Sequence, residues 1–152
     1  MKQKDKGLLR DLCSRLPYGV IAEYYDAEEG CKCDAVIDYI DISASARPEV
    51  GISQYVLPIE EVKPYLFPMS SMTKEQMEEL KRLCNMYVPD DYYHRYAYMG
   101  IEVFYKHVHN ENYEFSSYFN TDVIDWLNKN HFDYRGLIEK GLAIDATGLN
   151  IY

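Results

Sequence analysis

Apolar positions recur at helical spacing near the start of the chain. Leu8, Leu9, Leu12, Cys13 and Leu16 fall on one side of a helix predicted over residues 5–16, because side chains three and four apart share a face. Pro17 and Gly19 then stop it, the first by lacking a backbone donor and the second by accepting a left-handed conformation. The stripe is expected to pack on a sheet. Lys2, Lys4, Lys6 and Arg10 make this end basic, as in helices that lie on membrane surfaces, but so short a helix in an otherwise acidic chain reads as a core helix.

After Pro17 the period changes from helical to alternating. Three extended segments, "GVIAEYYDA", "CKCDAVIDYIDIS" and "VGISQYVLPI", are separated by "EEG" and "ARPEVG", both of which hold turn formers. A three-stranded meander is the expectation. In the second segment, strict alternation puts Cys33, Ala35, Ile37 and Tyr39 on one face and Asp34, Val36 and Asp38 on the other. One face is then core and the other partly wet.

Pro64 and Pro68 limit "IEEVKPYLFPMSS" to a short helical turn before Pro64. Thr73 and Gln76 form a capping box, with Met72 and Met77 at the positions of a hydrophobic staple, so a helix is predicted from Thr73 with Met77, Leu80, Cys84 and Tyr87 on its buried side. Residues 88–99 fit either a short helix or an irregular tyrosine-rich connection. From Gly100 the pattern reads as a hairpin turning at "HNEN", with Ile101, Val103, Tyr105 and His107 on one face. A further helix is predicted from Asn120 or Thr121 to residues 128–130, with Asp122 and Asp125 near its N-terminus and Val123, Trp126 and Leu127 on its apolar side. A second short helix follows, N-capped by Asp133 and closed by Gly141 at C′, with Phe132 and Leu137 as its staple and Gly136 small enough for close approach.

The sum of these elements is one α+β domain over residues 1–152. Its antiparallel sheet has three to five strands, a meander or a small closed barrel, packed by an N-terminal helix, a central helix and two short C-terminal helices. The 152 residues, 47% of them hydrophobic, suffice for a core. No apolar run of about 18 residues exists to span a bilayer, and the N-terminus lacks a signal-peptide pattern, so no membrane partner is expected and a cytoplasmic location is. Four scattered cysteines, Cys13, Cys31, Cys33 and Cys84, point to reduced thiols.

A formal charge of -9 excludes generic binding to phosphate backbones, which needs clustered Lys and Arg. Sixteen tyrosines are the unusual feature of the composition. Tyrosine joins a large apolar ring to a polar tip and is enriched in recognition surfaces as well as in half-buried strand positions. Tyr92, Tyr93, Tyr96 and Tyr98 form the densest group and are the candidate partner-binding residues.

The stretch "NKNHFDYRGLIEKG" places His131, Asp133, Tyr134 and Arg135 within five positions. A carboxylate orienting an imidazole is a general-base arrangement. Neighbours in a helix junction seldom face one another, however, and no nucleophile is tied to them by a motif, so the structural reading is preferred and no residue is assigned a catalytic role. His107 and His109, an H-x-H pair, would point the same way on a strand and are the candidate metal ligands of an alternative reading, a small metal-dependent enzyme. Cys31 and Cys33 share a strand face but lack the spacing of a structural zinc site. Asp34 and Asp38 resemble part of a magnesium set, with Asp41 on the opposite face of a regular strand. Nucleotide-binding and common hydrolase motifs are absent, and no cofactor is expected.

Three blocks, "LLRDLCSRLPYGV", "VKPYLFPMSSMT" and "DWLNKNHFDYRGLIEKGLAI", resemble a group of short uncharacterised proteins from gut-bacterial genomes and their prophage-like elements. They cover about a third of the chain and leave out residues 85–118. The resemblance implies a mobile-element origin and carries no activity. The expected function is therefore a non-enzymatic interaction module acting on a protein partner through an acidic, tyrosine-rich surface.

Overall fold

The computed structural model describes residues 3–43, 47–85 and 121–152. Among them the architecture is α+β, with three α-helices and an open, six-stranded mixed sheet. The chain forms two units, Met1–Phe67 with Leu137–Tyr152, and Pro68–Gly136. No helix among the described residues is long and apolar enough to cross a membrane.

The first unit begins with α1 (Gln3–Arg15). Leu8 and Leu12 are buried in one core with residues of the sheet, as the helical stripe requires. Pro17 lies in a 3-10 turn, Leu16–Tyr18, and Gly19 ends it at φ 68. The sheet contains β1 (Ile21–Asp26), β2 (Cys31–Asp41), β3 (Glu49–Ile52), β4 (Tyr55–Pro58), β5 (Lys63–Leu66) and β6 (Ile144–Asp145), in the order β4-β3-β2-β1-β5-β6. Every pairing is antiparallel except β5 with β6.

Six strands replace the expected three to five, one pair is parallel, and the sheet does not close into a barrel. Two of the additions have clear causes. The third extended segment is a hairpin, folded at Ser53–Gln54 so that Ile52 pairs with Tyr55. Its turn needs Ser53 at φ 55, a conformation usually given to Gly or Asn, so the sequence gives no sign of the break. β5 runs through Pro64, a residue that argues against a strand, and it exists through non-local partners on both sides, β1 and β6.

β2 carries a further irregularity. Ile37 pairs with Ile52 but Tyr39 pairs with Gly51, so the register shifts between them. The shift resets the alternation: Ile37 is buried, Ile40 packs on the core, and Tyr39 turns to the outer face. The expectation that Tyr39 shares the face of Cys33, Ala35 and Ile37 is corrected by this bulge.

In the second unit a 3-10 turn at Met69–Ser71 precedes α2 (Lys74–Asn85). The capping box is formed in both directions: the Thr73 N–H donates to Gln76 Oε1 at 2.9 Å and the Gln76 N–H to Thr73 Oγ1 at 3.2 Å. α3 (Thr121–Lys129) packs on α2, and Leu80, Val123 and Leu127 are buried. The second C-terminal helix does not form. Gly136 stands at φ 65, whereas a helix needs φ near about −63° at every position, so a helix starting at Asp133 cannot continue through it. In the first unit Gly141, at φ 70, keeps its predicted closing role over a single turn, with the Gly141 N–H bonded to Ile138 O and the Leu142 N–H to Leu137 O.

Candidate functional site

The histidine-bearing stretch after α3 is a helix terminus. The His131 N–H donates to Asn128 O at 3.1 Å and the Phe132 N–H to Leu127 O at 3.0 Å, the paired bonds of a Schellman motif with His131 at C′. His131 accordingly has φ 56, where glycine is the usual occupant. Phe132 stacks on Trp126 with ring centroids 5.7 Å apart. The Tyr134 hydroxyl donates to Asn128 Oδ1 at 2.9 Å and accepts from Arg135 Nη2 at 3.0 Å, while the Arg135 guanidinium lies 4.7 Å from the Tyr134 ring centre. His131, Asp133 and Tyr134 are all buried. The backbone path and this stapling account for why these residue types sit together, with His131 only 7% exposed.

The outer face of the sheet has a different character. Residues of β1 alternate, with Ala22 and Tyr24 buried and Ile21, Glu23 and Tyr25 turned outward. Their partners Val36, Asp34 and Lys32 on β2 share the outward face, and Lys32 Nζ bonds Glu23 Oε1 at 2.8 Å. Beyond the bulge, Tyr39 lies over Gly51: a Cβ added to Gly51 would collide with the Tyr39 ring. Val56 is paired with Gly51 on the far side. Glycine thus makes the seat on which the ring lies flat between neighbouring strands. Tyr39 is 46% exposed, Val36 46% and Val56 54%, and Asp38 beside them is exposed. The result is an aromatic and aliphatic strip across β2, β3 and β4, bordered by carboxylates.

Carboxylates and phenols pair elsewhere on the sheet. Asp26 Oδ1 accepts the N–H groups of Glu28 and Glu29 and the Tyr55 hydroxyl, at 2.9, 3.0 and 2.8 Å. The Glu29 N–H above all, with the Tyr55 hydroxyl and the Glu28 N–H, holds the Asp26 carboxyl below its usual range. Tyr65 donates to Asp34 Oδ1 at 2.8 Å. The Tyr152 hydroxyl donates to Tyr65 O at 2.8 Å and accepts from the Ile21 N–H at 3.2 Å. Asp41 accepts both the N–H and the hydroxyl of Ser43 at 2.7 Å, which lowers its pKa. Because of the bulge, Asp41 faces the same way as Asp34, contrary to the expectation for a regular strand, but it is committed to that turn. Among the described residues no three or more His, Cys, Asp or Glu side chains are grouped to hold a metal.

Of the residues singled out in the sequence, Tyr92, Tyr93, Tyr96, Tyr98, His107 and His109 lie outside the described residues, as do the hairpin expected from Gly100 and its turn. Cys31 and Cys33 do share a face, with sulfurs 3.7 Å apart. The strip at Tyr39 was missed because its position depends on a bulge, and only the Gly51 opposite hinted at a seat for a ring. No family model matches the chain, and no curated protein or solved structure matches it.

Proposed function

We propose that the chain is a non-enzymatic protein-interaction module of mobile-element origin, which engages a protein partner through an acidic, tyrosine-bearing surface. The observation that carries this reading is the strip formed by Val36 and Tyr39 on β2 and Val56 on β4, with Gly51 of β3 between them, each of the three about half exposed. A tyrosine seated over glycine presents its ring face and hydroxyl at little cost in conformational entropy, as the anchors of interfaces do. Asp34, Asp38 and Asp41 along β2 and the overall charge of -9 favour a partner with a basic rim. β4 is the terminal strand of the described sheet, so a partner strand could add main-chain hydrogen bonds beside the strip. Tyr92, Tyr93, Tyr96 and Tyr98 are proposed as further contacts from sequence composition alone.

The test is affinity capture from host lysate with the intact chain and with Tyr39→Ala and Val56→Glu variants, read by mass spectrometry. Substitutions at such exposed sites are expected to move the unfolding free energy by about 0.5 kcal/mol or less, to abolish capture of a protein held by the wild type, and to leave the wild-type complex weakened by salt. Capture that survives both substitutions in folded variants rules out this face.

A further inference from the structure

The β1–β2 hairpin end holds two thiols that the interaction reading does not use. Cys31 and Cys33 lie two apart on β2, paired with Asp26 and Tyr24, and so point to the same side of the sheet. Their sulfurs are 3.7 Å apart; Cys31 is exposed, while Cys33 is partly buried and packs on the core. Both are free thiols. The connecting loop is tied down by Asp26, which binds the N–H groups of Glu28 and Glu29 and, through its carbonyl, the Gly30 N–H at 2.9 Å. The pair is therefore held on a fixed hairpin beside carboxylates.

Three uses of two adjacent thiols can be separated physically. A disulfide needs sulfurs at about 2.05 Å and Cα atoms no more than about 6.8 Å apart, while two steps along a strand span about 6.6–6.8 Å. Closing the bond would thus draw the sulfurs together at the limit of allowed geometry and bend the hairpin. Nucleophilic or peroxide-sensing chemistry needs a thiolate at neutral pH. Such chemistry is favoured by a neighbouring positive group, whereas Asp26, paired with Cys31, and Glu29 of the connecting loop are carboxylates; the same charges favour a positive ion between the two sulfurs. With metal–thiolate bonds of about 2.3 Å, a two-coordinate, near-linear ion asks the sulfurs to open from their present spacing toward about 4.6 Å, a movement the exposed Cys31 side chain is free to supply.

We infer that Cys31 and Cys33 form a two-thiolate site for a soft monovalent metal ion of the Cu(I) class. Thiolates select such ions, and a two-coordinate ion needs no third protein ligand. On binding, the two S–H bonds break, two Cu–S bonds form, two protons are released to solvent, and the copper remains Cu(I). The site is independent of the strip at Tyr39.

The experiment titrates the reduced full-length chain anaerobically with Cu(I) buffered by a competing chromophoric chelator. Wild type, Cys13→Ser and Cys84→Ser are expected to take one Cu(I) per chain, with thiolate-to-copper charge-transfer absorption and release of two protons. Cys31→Ser is expected to keep the wild-type circular dichroism, since its side chain is exposed, and to lose that copper at a chelator concentration that leaves wild type loaded; Cys33→Ser should do the same. Uptake unchanged in Cys31→Ser, or no uptake by wild type, overturns the assignment. So does conversion of the pair to a Cys31–Cys33 disulfide by mild peroxide faster than Cys13 reacts, because that outcome identifies a redox pair.

Discussion

At the residue scale, the most demanding group among the described residues is a pair of charges inside α1. Arg15 Nε and Nη2 bond the two carboxylate oxygens of Asp11 at 2.7 and 3.1 Å, and neither side chain has any exposed surface. With Leu8 and Leu12 they occupy positions 8, 11, 12 and 15, one continuous face of the helix that turns into the core. The forked guanidinium matches a carboxylate in a way lysine cannot. Removing one member leaves an uncompensated buried charge, so Asp11→Leu and Arg15→Met are each expected to lower unfolding stability by about 3–5 kcal/mol. The paired replacement Asp11→Leu/Arg15→Met is expected to cost far less than the sum, because it abolishes both desolvation penalties at once. Urea unfolding of the four proteins closes the cycle. Additive losses would mean that the two charges do not stabilise each other.

Elements differ in how locally they are specified. α2 carries its own start instruction, the reciprocal bonds between Thr73 and Gln76, so Thr73→Ala should cost about 1 kcal/mol and Thr73→Ser little. The accompanying sign is local: the amide of Gln76 should exchange faster in Thr73→Ala while the amides of β1 and β2 keep their order of protection. Uniform acceleration across the sheet would show that the cap acts on more than its helix. The same distinction explains what was legible in the sequence. α1, the first hairpin, the cap of α2 and the span of α3 all rest on residues within a few positions of one another, and each was readable. The hairpin at Ser53, the strand through Pro64 and the parallel β6 rest on a left-handed serine or on distant partners, and were not. The lost helix after Asp133 failed on one dihedral angle, at Gly136. Of the candidate surface, the shared face of Cys31 and Cys33 followed from alternation, whereas the outward turn of Tyr39 followed from a register shift that alternation cannot contain.

For the molecule as a whole, tyrosine does more than fill space, since three phenols bind acceptors across long sequence distances in the sheet-bearing unit. Tyr55 reaches Asp26 across 29 positions, Tyr65 reaches Asp34 across 31, and Tyr152 reaches the carbonyl of Tyr65 across 87. All three donate the proton they would lose at high pH. The bond to Asp26 raises the Tyr55 pKa; burial and then the bond to Asp34 raise that of Tyr65; burial pushes Tyr152 up to about 12, although 44% of the residue's surface is exposed, because its hydroxyl end is the enclosed part. Folded values above the unfolded value of about 10 mean that the stabilisation is complete below pH 10. It is lost as pH rises from there through the raised folded values, about 12 for Tyr152, because ionisation is less favourable in the native state than in the unfolded one. The chain, already at -9 near neutrality, gains further repulsion over the same range. Ellipticity and phenolate absorbance followed together from pH 9 upward should therefore show a group of phenols that ionises only as the fold is lost. Tyr152→Phe removes one of these linked protons and should flatten the fall in stability between pH 10 and 12 while lowering stability at neutral pH through the lost bonds to Tyr65 and Ile21. Ionisation of every tyrosine near pH 10 with no loss of ellipticity would show that these long-range phenol bonds do not hold the sheet.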